Sequence, residues 1–427
     1  MSTPSAHGTS VKGGGEEAVP LSLKDRILLG TIIFVFCLMP IASIAGGLGI
    51  PLLLAICGCA GILTAIPFRL QKIPLWILAL FVFLLWALFS QFWSPYEANS
   101  SLTNAVKLTL GCVFYVMGLK AIVKTIDLRP ILMAYVYVCM TVFLLIILIA
   151  DLSTGFGLTF FFDPPNIGED VLRKRGDAIM NTSNGIVILC LLSVPAATLM
   201  LTGSRIFKLC AGLIIGLTFW ASFIGHLAIA EIAILVGFAF FALTFYFPRF
   251  GLKLVTGLSM ALVLFAPIVG MMLSLVSEDQ ISKLPFSWEH RVEMWKYTSL
   301  KITQAPIFGH GFDSARTFSD TFETRGFTDL ALISLHPHNA GLHIWLETGV
   351  VGAIFAVIFL WLLGRRAIFM SNTSRYMAAA CASLIAMASL ISAVSYGVWQ
   401  DWWWAGLFYV AGCLHLIKIH SPMSAKG

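Results

Sequence analysis

Runs of apolar residues long enough to cross a bilayer recur along almost the whole chain. A spanning helix needs about 20 such residues, and segments near 27–45, 47–66, 74–92, 105–119, 130–150, 178–201, 209–225, 228–247, 252–276, 338–363, 376–397 and 401–417 fit that pattern. These twelve segments predict an all-α polytopic membrane protein, because in lipid every backbone N–H and C=O must find its partner within the spanning element. The segment 105–119 is short and carries Lys107, and the break at His226 is compatible with one longer kinked helix. Of the 427 residues 59% are hydrophobic and 11% charged. Soluble domains carry roughly a quarter charged residues, so a soluble globular enzyme, a disordered chain and a disulfide-stapled secreted module are all excluded.

The basic residues test the count. With the N-terminus in the cytoplasm, 17 of the 27 Lys and Arg fall on the inner side, as the positive-inside rule requires. An even number of spans then leaves both termini cytoplasmic. Of the other ten, Lys107 is ambiguous and nine lie in two outer loops, 151–177 and 277–337. A net charge of +6 placed this way predicts no nucleic-acid partner; it marks topology and two loops suited to an anion.

The expected organisation is a disordered cytoplasmic tail over 1–26, spans one to nine over 27–276, a large outer loop with short helices over 277–337, three further spans over 338–417, and a short cytoplasmic tail over 418–427. Ser43-Ile44-Ala45 before Gly46 is similar to a signal-peptidase site, but the polar lead and the many following spans favour an uncleaved first helix. All nine cysteines fall within predicted spans, so no disulfide framework is implied.

Chemistry concentrates in the outer loops. In 277–337, Ser287 can cap a helix with Glu289 in its first turn and Val292, Trp295, Ser299 and Ile302 on one face, ended by Pro306. A tight glycine-permitted turn follows over 306–311. The run from His336 to Gly352 then enters a span. Pro337 suits a first helical position, which would place His338 in the first turn, where the helix dipole disfavours imidazolium and leaves a neutral base beside an anion-binding helix end. Five of the nine histidines (His290, His310, His336, His338 and His343) lie between 290 and 343. Their spacing offers neither an i, i+4 pair for zinc nor an HExxH motif, so no metal or cofactor is predicted; a histidine at a helix start is also commonly just a cap or a surface residue. His343 and Glu347 are one turn apart and expected to satisfy each other. Arg173-Lys174-Arg175 suits either a lipid headgroup anchor or an anionic substrate. Glu231, within a span, is either functional or paired with a neighbouring helix. Trp399 and Trp402 to Trp404 read as an interfacial aromatic belt.

Four stretches, in order, resemble the bacterial O-antigen ligase and polymerase family: Lys174-Arg175-Gly176 opening a span; 284–295, with Ser287, His290 and Arg291; 306–316, with Gly309, His310, Gly311, Asp313 and Arg316; and His336-Pro337-His338-Asn339 leading to Trp345, Glu347, Gly349 and Gly352. The likeness covers roughly 170–365, the first half matching only as a hydrophobic pattern. It implies a membrane glycosyltransferase on the periplasmic face of the bacterial inner membrane, using neither metal nor nucleotide sugar. The implied donor is a glycan on undecaprenyl diphosphate and the implied acceptor a sugar of lipid A-core, with membrane lipids as surroundings. His338 matches the family's essential histidine, the base for the acceptor hydroxyl, and Arg291 and Arg175 match arginines that hold the diphosphate. His336, Asn339, His290, His310 and Arg316 lie in the same motifs as substrate-binding or supporting residues. Where many members carry an arginine, the stretch 220–226 offers only Ser222 and His226. A polymerase of the same family shares these motifs, and twelve spans alone would also suit a lipid-linked glycan transporter.

Overall fold

The computed structural model describes residues 21–45, 47, 49–65, 73–155, 169–370 and 372–420, the side chains of 98, 99, 101 and 169–178 excepted. Residues 1–20 and 421–427, most of the two expected tails, lie outside the described residues. The chain forms helices α1 (Leu23–Ile44), α2 (Gly49–Thr64), α3 (Leu75–Ser90), α4 (Ala98–Leu128), α5 (Pro130–Thr154), α6 (Glu169–Leu201), α7 (Arg205–Ile224), α8 (Ala228–Tyr246), α9 (Pro248–Leu264), α10 (Ala266–Leu273), α11 (Glu278–Ile281), α12 (Phe286–Gln304), α13 (Ala340–Met370), α14 (Arg375–Val394), α15 (Asp401–Cys413) and α16 (His415–His420).

Ten helical stretches among the described residues are long and apolar enough to cross a membrane, and an eleventh arises if α9 and α10, bent by 60° at Phe265, make one span. The twelfth expected segment is α2, at 16 residues too short for that test: at 1.5 Å per residue it covers about 24 Å of a hydrocarbon core about 30 Å thick. The weak segment 105–119 is the middle of the 31-residue α4. His226 separates α7 from α8 with φ +52°, so the chain does break there. Within the stretch expected to be a disordered tail, Ser22 accepts the Asp25 N–H at 3.2 Å and caps α1 from Leu23 onward. At the other terminus α16 carries helix to His420.

Ion pairs between helices mark two opposite ends of the bundle. Lys124 near the end of α4 meets Asp25 at the start of α1 at 2.8 Å, and at the opposite end Lys107 meets Asp401 at 3.5 Å. The loop 277–337 belongs to the second end. Its composition is not purely helical: β1 (Thr321–Thr324) and β2 (Phe327–Ala331) form an antiparallel hairpin, pairing Thr321 with Ala331 and Phe322 with Leu330, with Arg325 and Gly326 at positive φ in the turn. The helix expected to be capped by Ser287 starts two residues earlier, at Phe286, with Pro285 as its unbonded cap. The side chain of Ser287 has no capping role, because Pro285 fixes its own φ and already directs the chain into the helix.

Trp402, Trp403 and Trp404 are buried rather than belt-like. Two of the indole N–H groups bond within the bundle: Trp403 donates to Ser392 Oγ at 3.0 Å and Trp404 to the Val398 carbonyl at 2.6 Å. All nine cysteines are free thiols.

Candidate functional site

Two short connections meet at the start of α13: residues 336–339, and the turn 395–400 between α14 and α15. Asn339 Oδ1 accepts the Leu342 N–H at 3.0 Å, and its carbonyl accepts the His343 N–H at 2.9 Å. Asparagine is among the best N-caps, so α13 starts at Ala340 rather than at Pro337. His338 therefore lies before the helix, not in its first turn, and has φ +47°. That region is uncommon for a residue with a Cβ and costs about 1–3 kcal/mol. Three hydrogen bonds impose it. Trp295 Nε1 donates to the Pro337 carbonyl at 2.9 Å, the His338 N–H donates to His336 Nδ1 at 3.2 Å, and His338 Nδ1 donates to the Ser395 carbonyl at 2.7 Å.

The last bond assigns the tautomer. A carbonyl oxygen only accepts, so Nδ1 carries the hydrogen and Nε2 keeps its lone pair. Burial lowers the His338 pKa; the Ser395 bond opposes this, and the charges of Arg291, His290 and His343 lower it further. The imidazole is thus held neutral by desolvation beside the Arg291 guanidinium, not by a helix dipole.

His336 backs it, with ring centroids 4.5 Å apart. Its Nδ1 is spent as an acceptor, and Nε2 meets the Gln400 side-chain amide at 3.1 Å. Burial first, then the cost of a second positive ring beside His338, His343 and Arg316, pushes its pKa to about 2. The turn comes so close that a Cβ at Gly397 would lie 2.9 Å from His336 Cγ.

Arg291, on α12, is half-buried. Its Nε donates to the Val394 carbonyl at 3.1 Å and its Nη1 to the Ser287 carbonyl at 2.8 Å, while the guanidinium lies 5.8 Å from the Trp288 ring centre. Burial lowers its pKa, but an arginine stays charged. Two adjacent residues at the end of α14, Val394 and its C-cap Ser395, thus hold the cation and the imidazole.

The 306–316 segment docks on α13 through Glu347, which is fully buried. Its carboxylate accepts the N–H groups of Asp313 at 2.9 Å and Ala315 at 3.1 Å and Trp399 Nε1 at 2.6 Å. His343 Nε2 is 3.1 Å away but out of line for a hydrogen bond, and His343 Nδ1 accepts the Val398 N–H at 3.2 Å. The expected His343–Glu347 pair is therefore secondary to the carboxylate's hold on the loop. Immediately beyond, Gly349 (φ +63°, ψ −166°) interrupts α13. Backbone from the loop fills the interruption: His310 N–H to the Leu346 carbonyl at 2.8 Å, Gly311 N–H to Glu347 at 2.9 Å, and Val350 N–H to the Pro306 carbonyl at 2.9 Å. Gly309 and Gly349 permit this, since a Cβ on either would lie within 2.6 Å of the other segment's backbone.

Of the other expected site residues, His290 stacks on Phe322 (5.4 Å) and bonds the Ala331 carbonyl at 2.9 Å, joining the hairpin to α12. His310 bonds the Lys301 carbonyl at 2.9 Å and serves the loop. Arg316 Nε donates to Asp313 Oδ1 at 3.2 Å, and Asn104 donates to the other carboxylate oxygen at 2.7 Å. Arg175 is on α6, with its side chain outside the described residues. Ser222 donates to Thr218 within its own helix at 3.0 Å. Among the described residues no three His, Cys, Asp or Glu are placed to share a metal ion. A largely apolar cavity of about 1110 Å³ starts beside the site, at Ala340, Gly341 and Ser392, and reaches Lys120, Arg366 and Lys418 at the other end of the bundle.

Residues 186–357 match the family model described as O-antigen ligase. Three Rickettsia proteins named as candidate polysaccharide ligases are similar. That of R. felis is 32% identical over 148 residues, 33% of this chain and 35% of its own length. That of R. typhi is 34% identical over 134 residues, 30% and 32% respectively, and that of R. prowazekii 31% over 168 residues, 38% and 39%. The chain thus spans about a third of the length of the curated relatives it matches.

Proposed function

We propose, from the match of residues 186–357 to the O-antigen ligase family model and the likeness to candidate polysaccharide ligases, that this chain transfers a glycan from undecaprenyl diphosphate to a hydroxyl of lipid A-core, on the periplasmic face of the bacterial inner membrane. The observation that carries this reading is the pairing of a neutral imidazole, its Nδ1 committed to Ser395 and its Nε2 free, with Arg291, both held by neighbouring carbonyls. In this reading His338 Nε2 takes the proton of the acceptor hydroxyl as its oxygen attacks the anomeric carbon, and the glycosyl–phosphate bond breaks toward the diphosphate. Arg291 keeps Nη2 and one Nη1 hydrogen for the leaving oxygens, where a fixed cation is worth more than in water. Arg175 is the proposed second cation. A one-step displacement of this kind inverts the anomeric centre. The apolar cavity starting at Ala340 offers the lipid tail a place beside the reacting headgroup.

Ligation is preferred to polymerisation because the family description and the relatives' names both speak of ligases. Deletion of the gene tests the choice. A ligase predicts lipid A-core without polymer while lipid-linked chains accumulate. Core carrying a single repeat unit identifies a polymerase instead, and an unchanged lipopolysaccharide profile overturns both.

A further inference from the structure

A second concave site lies at the end of the bundle away from His338. Between α9 and α13 there is a cavity of about 680 Å³ lined at its rim by Arg249, Lys253 and Arg365. Arg365 lies about 25 residues along α13 from the helix start, roughly 37 Å at 1.5 Å per residue, so this site is separate from the one at His338. No carboxylate lines the cavity, and none of the three cations makes an ion pair among the described residues. Arg249 and Lys253 are four apart on one helix, where like charges repel. Arg365 adds a third from the facing helix, its guanidinium held 5.0 Å from the Trp361 ring centre. Topology alone requires cations near this end, but not three of them gathered around one hollow.

The walls change character with depth. Toward the bundle middle the lining passes from Lys253 to Met260 on α9, and from Arg365 to Trp361 on α13. The helices close the back where a Cβ on Gly364 would lie 2.4 Å from Thr256, whereas a Cβ on Gly257 meets nothing within 4 Å and faces open space. A cationic rim over an apolar wall matches an amphiphile, not a free ion.

We propose that this cavity is a binding site for the headgroup of an anionic diacyl phospholipid, its phosphodiester against Arg249, Lys253 and Arg365 and one acyl chain along Met260 and Trp361. The full-length protein in detergent, examined by native mass spectrometry after incubation with equal amounts of phosphatidylglycerol and phosphatidylcholine, is expected to retain one phosphatidylglycerol. Gly257→Leu fills the hollow while leaving every charge in place and is expected to lower retention by steric exclusion; Arg365→Gln removes one headgroup contact and is expected to lower retention about fivefold. Equal retention of phosphatidylcholine, wild-type retention by Gly257→Leu, or complete displacement of the lipid by excess inorganic phosphate would each overturn the proposal. If Gly257→Leu does not fold, the Arg249→Gln/Lys253→Gln double variant carries the same test.

Discussion

The Nδ1–H of His338 donates to the carbonyl oxygen of Ser395 across 2.7 Å, which leaves Nε2 as the free lone pair on the ring. Replacing His338 by Ala is expected to lower glycan transfer by purified protein about 10²–10⁴-fold, the usual contribution of a positioned base. Residual transfer near the wild-type rate would remove the base assignment.

The same burial sets a pH profile. Because the His338 pKa is lowered from its ordinary 6.5, the neutral base persists as pH falls. Transfer should stay flat from pH 7.5 through about 6.5, where an unperturbed histidine would already be half protonated, and decline only below. A midpoint at or above 6.5 would contradict the desolvated environment.

His336 makes a separate prediction about stability. Its folded-state pKa, about 2, is below that of the unfolded chain, so between 6.5 and about 2 the unfolded state binds more protons. Stability is full above pH 6.5 and falls on acidification, by up to about 1.4 kcal/mol per pH unit from this group. His336→Gln should reduce the pH slope of Tm in detergent; an unchanged slope would place the effect elsewhere.

Arg291→Lys keeps a charge but loses the planar fork that reaches Val394, Ser287 and the proposed diphosphate together. At least about a tenfold fall in kcat/KM is expected, about 1.4 kcal/mol of transition-state stabilisation. An unchanged rate would show that the diphosphate is held by other groups.

Two glycines at positive φ contrast an ordinary left-handed turn, Gly155 with ψ +22°, with the Gly-only conformation of Gly349, ψ −166°, on which the loop docks. Gly155→Ala, at φ +64° with nothing within 4 Å of its Cβ position among the described residues, should cost only the left-handed penalty of about 1–3 kcal/mol. Gly349→Ala, at φ +63°, also drives a Cβ to 2.2 Å from the Ile307 carbonyl oxygen. It should expel the 306–311 segment, seen as faster tryptic cleavage at Lys301, Arg316 and Arg325. Equal protease resistance in the two variants would show that the loop does not depend on the helix break.

Much of this architecture is legible in residue types. Hydropathy marks α1, α3, α5 and α14 because each must match a bilayer, and the glycines of 306–311 announce a turn that other residues could not make. His338 and Arg291 stand out as polar groups at a membrane boundary. Their alignment does not, because the atoms that align them are the carbonyls of Val394 and Ser395, and a backbone oxygen leaves no mark on side-chain identity. Glu347 shows the same limit: its i, i+4 partner His343 is visible in the sequence, whereas the Asp313 and Ala315 N–H groups that it binds lie 34 and 32 residues earlier in the chain. Pro337 and Asn339 are both good helix-start residues, and the Asn339 side-chain bond to the Leu342 N–H decides for a start at Ala340.

The interruption at Gly349 also bears on biosynthesis. A helix entering the bilayer with the carbonyls of Leu346 and Glu347 unbonded would be costly to insert alone. The segment that bonds them, 306–311, is made some 35 residues earlier, so it has already emerged when α13 forms. Insertion of this span and folding of the loop are therefore one event, and a chain truncated or delayed before residue 340 would hold a loop with no surface to close upon.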